Sequence, residues 1–186
     1  LELLGPECIE LMNKEESLEL NVSPTLFMEF HGATIAQLSE LLEMAGGMRD
    51  GRPIKAVIPG GSSAPVIPGE QMMELTMDYD AISKAGSGLG SGAVIVMDET
   101  TCMVRACTRI ARFYHMESCG QCTPCRVGCD KAVALLERDT WDKELLGELE
   151  QTMRDASICG LGQAAPNAFA TAIKFFSEDD GTPIGH

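Results

Sequence analysis

Three cysteines, Cys119, Cys122 and Cys125, are spaced three residues apart, and Cys159 follows in a Ser-Ile-Cys-Gly-Leu-Gly turn. Closely spaced thiolates with one distant thiolate are what a cubane iron–sulfur cluster requires, because each of its four irons takes one cysteine sulfur. The pattern therefore predicts electron-transfer chemistry. The sequence contains no nucleophile–base arrangement such as Gly-x-Ser-x-Gly with a paired His.

Zinc is the main competitor of iron and sulfide for these thiolates. Structural zinc sites usually combine two well-separated Cys-x2-Cys pairs, whereas here three cysteines share one loop with the small or turn-forming residues Gly120, Thr123 and Pro124. Such residues let the backbone wrap closely around the corner of a cluster. The spacing therefore favours an iron–sulfur cluster, with zinc as the alternative.

The fourth ligand is a choice between Cys129 and Cys159. Cys129 completes the Cys-x2-Cys-x2-Cys-x3-Cys run of bacterial ferredoxins, in which the last cysteine precedes Pro and ligates the other cluster of a pair. Here Asp130 follows, and the sequence has no second set of three such cysteines. Cys159 lies in a glycine-flanked turn before a helix, where backbone N–H groups can face cluster sulfur. We therefore favour Cys159, with Cys129 as a nearby thiol.

The composition excludes several classes of protein. The 186 residues include 28 Asp or Glu and 14 Lys or Arg, which gives a net charge of −14. A nucleic-acid partner needs a basic face, so none is expected. No apolar run reaches the roughly 18 residues of a membrane span, and the first residues do not form a signal peptide. We expect a cytoplasmic protein with reduced cysteines, without membrane insertion, that is a fragment or a processed product.

Residues 1–97 mix strand-like runs with Gly and Pro. Thr34 is the predicted cap of an amphipathic helix, and Gly46-Gly47 the predicted stop. The predicted elements are helices at Cys8–Leu18, Thr34–Ala45 and after Asp78, and strands at Leu26–Phe30, Ile54–Ile58 and Ala93–Met97. This order of strands and helices predicts a small α+β unit of β-grasp type.

Residues from about 98 onward have helical periodicity and contain seven of the eight cysteines. The predicted helices run from a cap at Asp98 or Thr100 to about Tyr114, from Val127 to Glu137, from about Asp142 to Met153 and from Pro166 to about Phe176. Side chains predicted to face inward include Met103, Cys107, Ile110, Tyr114, Ala132, Leu135, Leu136, Leu145, Leu146 and Leu149. Four antiparallel helices with short links predict a four-helix bundle.

Two glycine-rich segments and two cations near the cysteines have competing interpretations. The segment Gly86–Gly92 precedes a strand rather than a helix, which predicts a tight connection and not a dinucleotide-binding loop. Pro59–Ser63 lacks the Lys-Ser/Thr of a P-loop and is interpreted as a turn that ends a strand. His115 and Arg126 lie close to the cysteines in sequence, where they either influence a cluster or belong to the solvated surface.

Several motifs together resemble the NADH-oxidising flavoprotein subunit of respiratory complex I. Its relatives are the diaphorase subunits of NAD-reducing hydrogenases and the β subunit of NAD-dependent formate dehydrogenases. The motifs are Glu-Ser-Cys-Gly-Gln-Cys-Thr-Pro-Cys-Arg at 117–126, Ser-Ile-Cys-Gly-Leu-Gly-Gln at 157–163, Lys-Ala-Val-Ile-Pro-Gly-Gly-Ser-Ser at 55–63, and the segment 86–98. The resemblance covers about residues 32–176 and concerns only the C-terminal part of the family.

The resemblance implies a β-grasp (SLBB-like) domain over residues 32–97 and a four-helix [4Fe–4S] domain with an acidic tail over residues 98–186, with residues 1–31 unassigned. It implies Cys119, Cys122, Cys125 and Cys159 as the cluster ligands. In the family, NADH delivers hydride to FMN, and the cluster passes single electrons from that flavin to the next cluster. The implied partners are subunits of a multi-subunit oxidoreductase, among them a [2Fe–2S] thioredoxin-like subunit, so that the chain is peripheral to the inner membrane.

The sequence departs from this family in three respects. The Gly-Arg-Gly-Gly-Ala-Gly-Phe-Pro stretch of the family's flavin and NADH site is absent, so we expect this chain alone neither to bind FMN nor to oxidise NADH. The link between Cys125 and Cys159 is shorter than is usual, near residues 138–141. Residues 1–31 do not match, and Pro24–Gly32 resembles a strand of FAD-linked D-lactate dehydrogenases instead. The alternative functions are a non-catalytic interaction module stabilised by zinc or a cluster, and a truncated or hybrid gene product.

Overall fold

The computed structural model describes residues 37–176. Within this range the chain divides into two units, one of residues 37–61 and 67–99 and the other of residues 62–66 and 100–176. Their helices, with one small antiparallel sheet, make the α+β class that the sequence predicted. The elements predicted at Cys8–Leu18 and Leu26–Phe30 lie outside the described residues.

The first unit is a three-stranded antiparallel sheet with short helices. The strands are β1 (Ile54–Ile58), β2 (Ile67–Pro68) and β3 (Ile95–Asp98), in the order β2-β1-β3. The helices are α1 (Leu38–Met44), α2 (Gly69–Met73) and α3 (Tyr79–Lys84), with a 3-10 turn at Arg49–Gly51. The central strand β1 has the predicted bounds, because its apolar run Ala-Val-Ile is fully buried.

A small aliphatic core holds the first unit together. Leu38, Leu41 and Leu42 lie on one face of α1 and are buried, as the periodicity of the sequence predicted. The core residues shared by the helices and strands are Leu38, Leu42, Val57, Ile67, Met72, Ile82 and Val94. Asp78 caps α3 by accepting a hydrogen bond from the Ala81 N–H at 2.8 Å. A hydrogen bond from the Thr76 hydroxyl, followed by that cap, lowers the pKa of the Asp78 carboxyl.

The boundaries of the first unit differ from the prediction where pairing decides them. Helix α1 begins at Leu38 and not at Thr34, because Gln37 is extended and forms an isolated bridge with Thr76. The helix ends before Gly46, as predicted, and that glycine has a φ of 91°. Strand β3 begins at Ile95 and not at Ala93, because Ile95 pairs with the last residue of β1. The sequence did not predict β2 or α2, which are too short to show periodicity.

The glycine-rich segment 86–92 is a close-packed connection to β3, as predicted. The Gly61 N–H donates to the Ala93 carbonyl at 2.6 Å. A Cβ atom on Gly60 would overlap the Gly88 carbonyl oxygen, and one on Gly90 would overlap the Gly60 carbonyl oxygen. The two backbone segments therefore touch, and only glycine fits where they cross.

We expect Gly60→Ala to destabilise the first unit by about 1–3 kcal/mol, because the added methyl group forces two backbone segments apart. Gly88→Ala is the matched control, since open space surrounds a Cβ at Gly88, and its effect should stay within about 0.5 kcal/mol. Urea unfolding of the two variants and the parent chain measures the difference. Equal stability of the two variants would contradict the close approach.

The second unit contains five helices within the described residues. They are α4 (Met103–Glu117), α5 (Thr123–Leu136), α6 (Lys143–Ala156), α7 (Gly160–Ala164) and α8 (Asn167–Phe175). Helix α4 packs against α5 and α8, and α6 packs against α5, α7 and α8. Each helix in the described part of the chain is too short or too polar to cross a lipid bilayer.

One apolar core joins these helices. Its buried members are Val104, Cys107, Ala111, Ala132, Leu135, Leu136, Trp141, Leu146, Ala168, Phe169 and Ala172. Trp141 closes the tip of the α5–α6 hairpin, where its Nε1 donates to the Leu136 carbonyl at 3.1 Å. Asp142 then caps α6 by accepting from the Leu145 N–H at 3.0 Å. The short link noted in the sequence is therefore a tightly packed turn.

Several boundaries of the second unit also differ from the prediction. Helix α4 begins at Met103, and the predicted cap at Asp98 is wrong because Asp98 ends β3 and pairs with Arg52. Helix α5 begins at Thr123, four residues before the predicted Val127, because Pro124 suits the first turn of a helix. Leu145 was predicted to face inward but is 40% exposed. The sequence missed the short helix α7.

Candidate metal centre

Two turns between helices carry the predicted cluster ligands. The first, between α4 and α5, begins where extended backbone at Ser118 ends α4, and it bends at Gly120, whose φ is 74°. Cys119 is exposed in this turn. The second turn joins α6 to α7, and exposed Cys159 is the N-cap residue of α7.

The start of α5 presents two more of the predicted ligands. Cys122 is its N-cap residue and is half-buried, whereas Cys125 lies in the first helical turn and is 4% exposed. The Cys125 Sγ lies 3.3 Å from the Ser118 Oγ and 4.0 Å from the Cys129 Sγ. Cys125 is therefore surrounded by groups that can share a proton with its sulfur.

Backbone N–H groups favour the thiolate form of Cys122. The N–H groups of Ile158 and then Cys125 face its sulfur, and these hydrogen bonds lower the pKa of the Cys122 thiol. Ile158 directly precedes Cys159, so this contact brings the second turn to the start of α5. The structure thus places Cys122, Cys125 and the turn of Cys159 at one end of the helices.

The close approach of the two turns depends on a glycine. A Cβ atom on Gly162 would lie 2.5 Å from the Ser157 Oγ and 2.8 Å from the Cys125 Cβ, closer than real side chains allow. Ser157 is 5% exposed, and its Oγ has no hydrogen-bond partner among the described residues. A buried hydroxyl without a partner costs about 1–3 kcal/mol. The site therefore has a spare donor beside Cys125, and the residues fit a group with sulfur acceptors.

Cys129 occupies the position that the sequence suggested, as a thiol on α5 beside the ligand loop. It is 1% exposed. Burial, and then the neighbouring Cys125, raises the pKa of Cys129 to about 12. The physical cause is that a second negative charge is unfavourable in an apolar environment next to another sulfur.

Arg126 stabilises the shape of the first turn. Its Nη1 donates to the Gly120 carbonyl at 2.5 Å, and its Nη2 to the Thr123 Oγ1 at 3.4 Å. Arg126 is exposed, and His115 is an exposed residue near the end of α4. Sequence analysis considered Arg126 only as a charge beside a cluster, whereas the structure shows hydrogen bonds to the loop.

The four predicted ligands are not all brought into contact. Cys119 lies in the exposed part of the first turn, and the residues described contain no group of three or more His, Cys, Asp or Glu that could hold a single metal ion. The ligand assignment therefore stays a prediction. Cys107 donates its thiol hydrogen to the Ala168 carbonyl at 3.5 Å in the core, as expected of a structural cysteine.

Sequence analysis missed Ser118 and Gly162. Both lie within the motifs that it singled out, but their importance comes from neighbours distant in the chain. A hydroxyl residue directly before Cys119 was the only signal for Ser118. Gly162 was one of several glycines, and nothing local distinguished it from Gly160.

Helices with cysteine-bearing turns at one end define an iron–sulfur type of domain, and comparison with known proteins identifies which one. Residues 105–180 match the family model of the NADH-ubiquinone oxidoreductase-F iron-sulfur binding region. The chain belongs to this family through those residues, as its motifs predicted. The family's cluster is of the [4Fe–4S] type.

The similar proteins extend the match beyond the helical region. An F-type component of NADH-quinone oxidoreductase in Rhizobium meliloti (strain 1021) is 46% identical over 159 residues, which are 82% of this chain and 37% of that protein. The equivalent component in Streptomyces coelicolor is 40% identical over 148 residues, covering 76% of this chain and 33% of that protein. The chain thus spans about a third of the length of the curated relatives that it matches.

A solved structure resembles the chain as well. The crystal structure of NAD+-reducing [NiFe]-hydrogenase in the H2-reduced state superimposes with a TM-score of 0.67 and 28% sequence identity. The match covers 79% of this chain and 25% of the hydrogenase chain. The structural likeness therefore includes most of this chain.

We expect Gly162→Ala to destabilise the second unit by about 1–3 kcal/mol, because its methyl group collides with Ser157 and Cys125. Gly160→Ala, on the same helix and with open space around its Cβ, is the control and should be nearly neutral. Thermal unfolding measures stability, and the alkylation rate of Cys125 reports whether the turn has moved. An unchanged melting temperature in Gly162→Ala would argue against the contact.

Proposed function

We propose that this chain is an electron-transfer module, which relays single electrons through one [4Fe–4S] cluster within an NADH-dependent oxidoreductase. The observation that carries this proposal is the approach of the Ile158 N–H to the Cys122 sulfur. It brings the turn of Cys159 to the start of α5, in a chain whose residues 105–180 match the family region.

The proposed ligands are Cys119, Cys122, Cys125 and Cys159. Cys129 is not included, because its sulfur is 4.0 Å from the Cys125 sulfur. Two sulfurs in van der Waals contact leave no room for a separate iron on each, whereas each iron of a cubane takes one cysteine. Cys129 suits the role of a protonated neighbour.

The residues around the proposed ligands favour negative charge. When bound, the cluster supplies one-electron exchange. The N–H groups of Ile158 and Cys125 face the Cys122 sulfur, and the first turn of the 14-residue helix α5 adds the positive end of a helix dipole. Cys125 is buried and Cys119 and Cys159 are exposed, so water is excluded on one side and an electron-transfer partner has access on the other.

The two units suit the domains implied by the resemblance. The first, with its antiparallel sheet β2-β1-β3 and short helices, supports a β-grasp (SLBB-like) domain over residues 32–97. The second supports a four-helix bundle built from α4, α5, α6 and α8, in a cluster domain over residues 98–186. Residues 1–31 have no assigned role in this proposal.

The electron donor and acceptor in this proposal are other proteins or domains. The relatives are named as subunits of NADH-quinone oxidoreductase, and the structural match is an NAD+-reducing hydrogenase. We propose that reduced FMN, itself reduced by NADH, is the donor, and that a [2Fe–2S] thioredoxin-like subunit is the acceptor. The chain would then work in the cytoplasm, as a peripheral part of a multi-subunit complex.

We expect the full chain, reconstituted anaerobically, to bind about four iron and four sulfide ions and to be brown. Cys119→Ser, Cys122→Ser, Cys125→Ser and Cys159→Ser should each lose the intact cluster, because one iron then lacks its thiolate. Cys129→Ala is the control and should keep it. Iron and acid-labile sulfide analysis with EPR of the reduced protein checks the set.

Two results would reject this assignment in different ways. One zinc ion without acid-labile sulfide would support the zinc-stabilised interaction module instead. A cluster that survives Cys159→Ser but is lost in Cys129→Ala would identify Cys129 as the fourth ligand.

A further inference from the structure

Ser118 is placed to donate a hydrogen bond to the sulfur of Cys125. Its Oγ accepts a hydrogen bond from the Gly120 N–H at 3.3 Å, and it lies 3.3 Å from the Cys125 Sγ. A cysteine that ligates iron carries no proton, so it can only accept in this contact. The hydroxyl proton of Ser118 is therefore the one that is shared with the ligand sulfur.

Cys129 approaches the same sulfur from within the helix. Its Sγ is 4.0 Å from the Cys125 Sγ, and its side chain is 1% exposed. Two thiolates in contact at such a buried position would repel strongly, because little water is present to screen them. With Cys125 bound as a thiolate, Cys129 remains a thiol and donates its S–H.

We propose that Ser118 and Cys129 are positioning residues that raise the reduction potential of the cluster by donating two side-chain hydrogen bonds to one ligand, Cys125. This proposal rests on the function proposed above, with Cys125 as a ligand. By contrast, the donors that face the Cys122 sulfur are backbone N–H groups. The two donors to Cys125 can thus be removed by substitution without altering the backbone.

The direction of the effect follows from charge. Reduction adds one electron to the cluster and makes its sulfur ligands more negative. A hydrogen bond to such a sulfur is stronger in the reduced state, so it favours reduction, and hydrogen bonds to the sulfurs are among the factors that set these potentials. Each bond is expected to change the equilibrium constant for reduction roughly three- to tenfold, or about 30–60 mV for one electron.

The experiment is an EPR-monitored redox titration of the full reconstituted chain and its variants. Ser118→Ala and Cys129→Ala should each lower the midpoint potential, while Ser118→Thr and Cys129→Ser keep a donor and should restore most of it. Cys107→Ala is the matched control. Cys107 is an equally buried thiol of the same unit, but it donates to the Ala168 carbonyl, so its removal should leave the potential unchanged.

Iron and sulfide content is measured first, to separate the two proposals. A parent chain without a cluster would overturn the proposed function and this inference together. A full cluster in the parent, with unchanged potentials in Ser118→Ala and Cys129→Ala, would overturn this inference alone. The same would follow from an equal shift in Cys107→Ala, because the effect would then be one of packing. If Ser118→Ala loses the cluster, Cys129→Ala and Ser118→Thr decide the question.

Discussion

The close packing of the second cysteine turn against the first turn of α5 is the constraint on which the candidate metal centre depends. Gly162 leaves only enough space for a hydrogen where any other residue would meet Ser157 and Cys125. This approach allows the Ile158 N–H to face the Cys122 sulfur. Without it, two cysteine segments that are far apart in sequence would lie at the ends of separate helices.

The helices reach this geometry through a second close contact. A Cβ atom on Gly128 would lie 2.6 Å from the Cγ of Met153, so the missing side chain on α5 admits a fully buried methionine from α6. Trp141 closes the other end of the same pair of helices. Glycines 128 and 162 thus let α5, α6 and α7 approach each other around Cys125, and the packing of the core determines where the sulfurs lie.

The resulting site is asymmetric in burial and in hydrogen bonding. Cys125 and Cys129 are buried, whereas Cys119 and Cys159 are exposed. Backbone donors serve Cys122, and side-chain donors surround Cys125. A site of this kind separates two requirements of an electron relay: a polar but dry side that influences the potential, and an open side that a partner can reach.

Sequence analysis succeeded where a structural feature depends on neighbouring residues. It predicted the bounds of β1, the Asp78 and Asp142 caps and the tight glycine-rich connection, because apolar runs, capping residues and glycines act locally. It placed the starts of α1 and α4 too early, since strand pairing at Gln37 and Asp98 overrides helix propensity there. It assigned Leu145 to the core, because periodicity defines a helical face only to within about a residue.

The sequence by itself determined the kind of chemistry and the family, because thiolate type and spacing are local properties that survive in any arrangement of the helices. It also determined which cysteines are candidates for the ligands. Only the tertiary structure decided which groups surround each sulfur. The contacts of Cys125 with Ser118 and Cys129, and the fit of Gly162 against it, arise from packing between helices. Periodicity states which face of a helix is buried, but the distance between two side chains depends on the whole core.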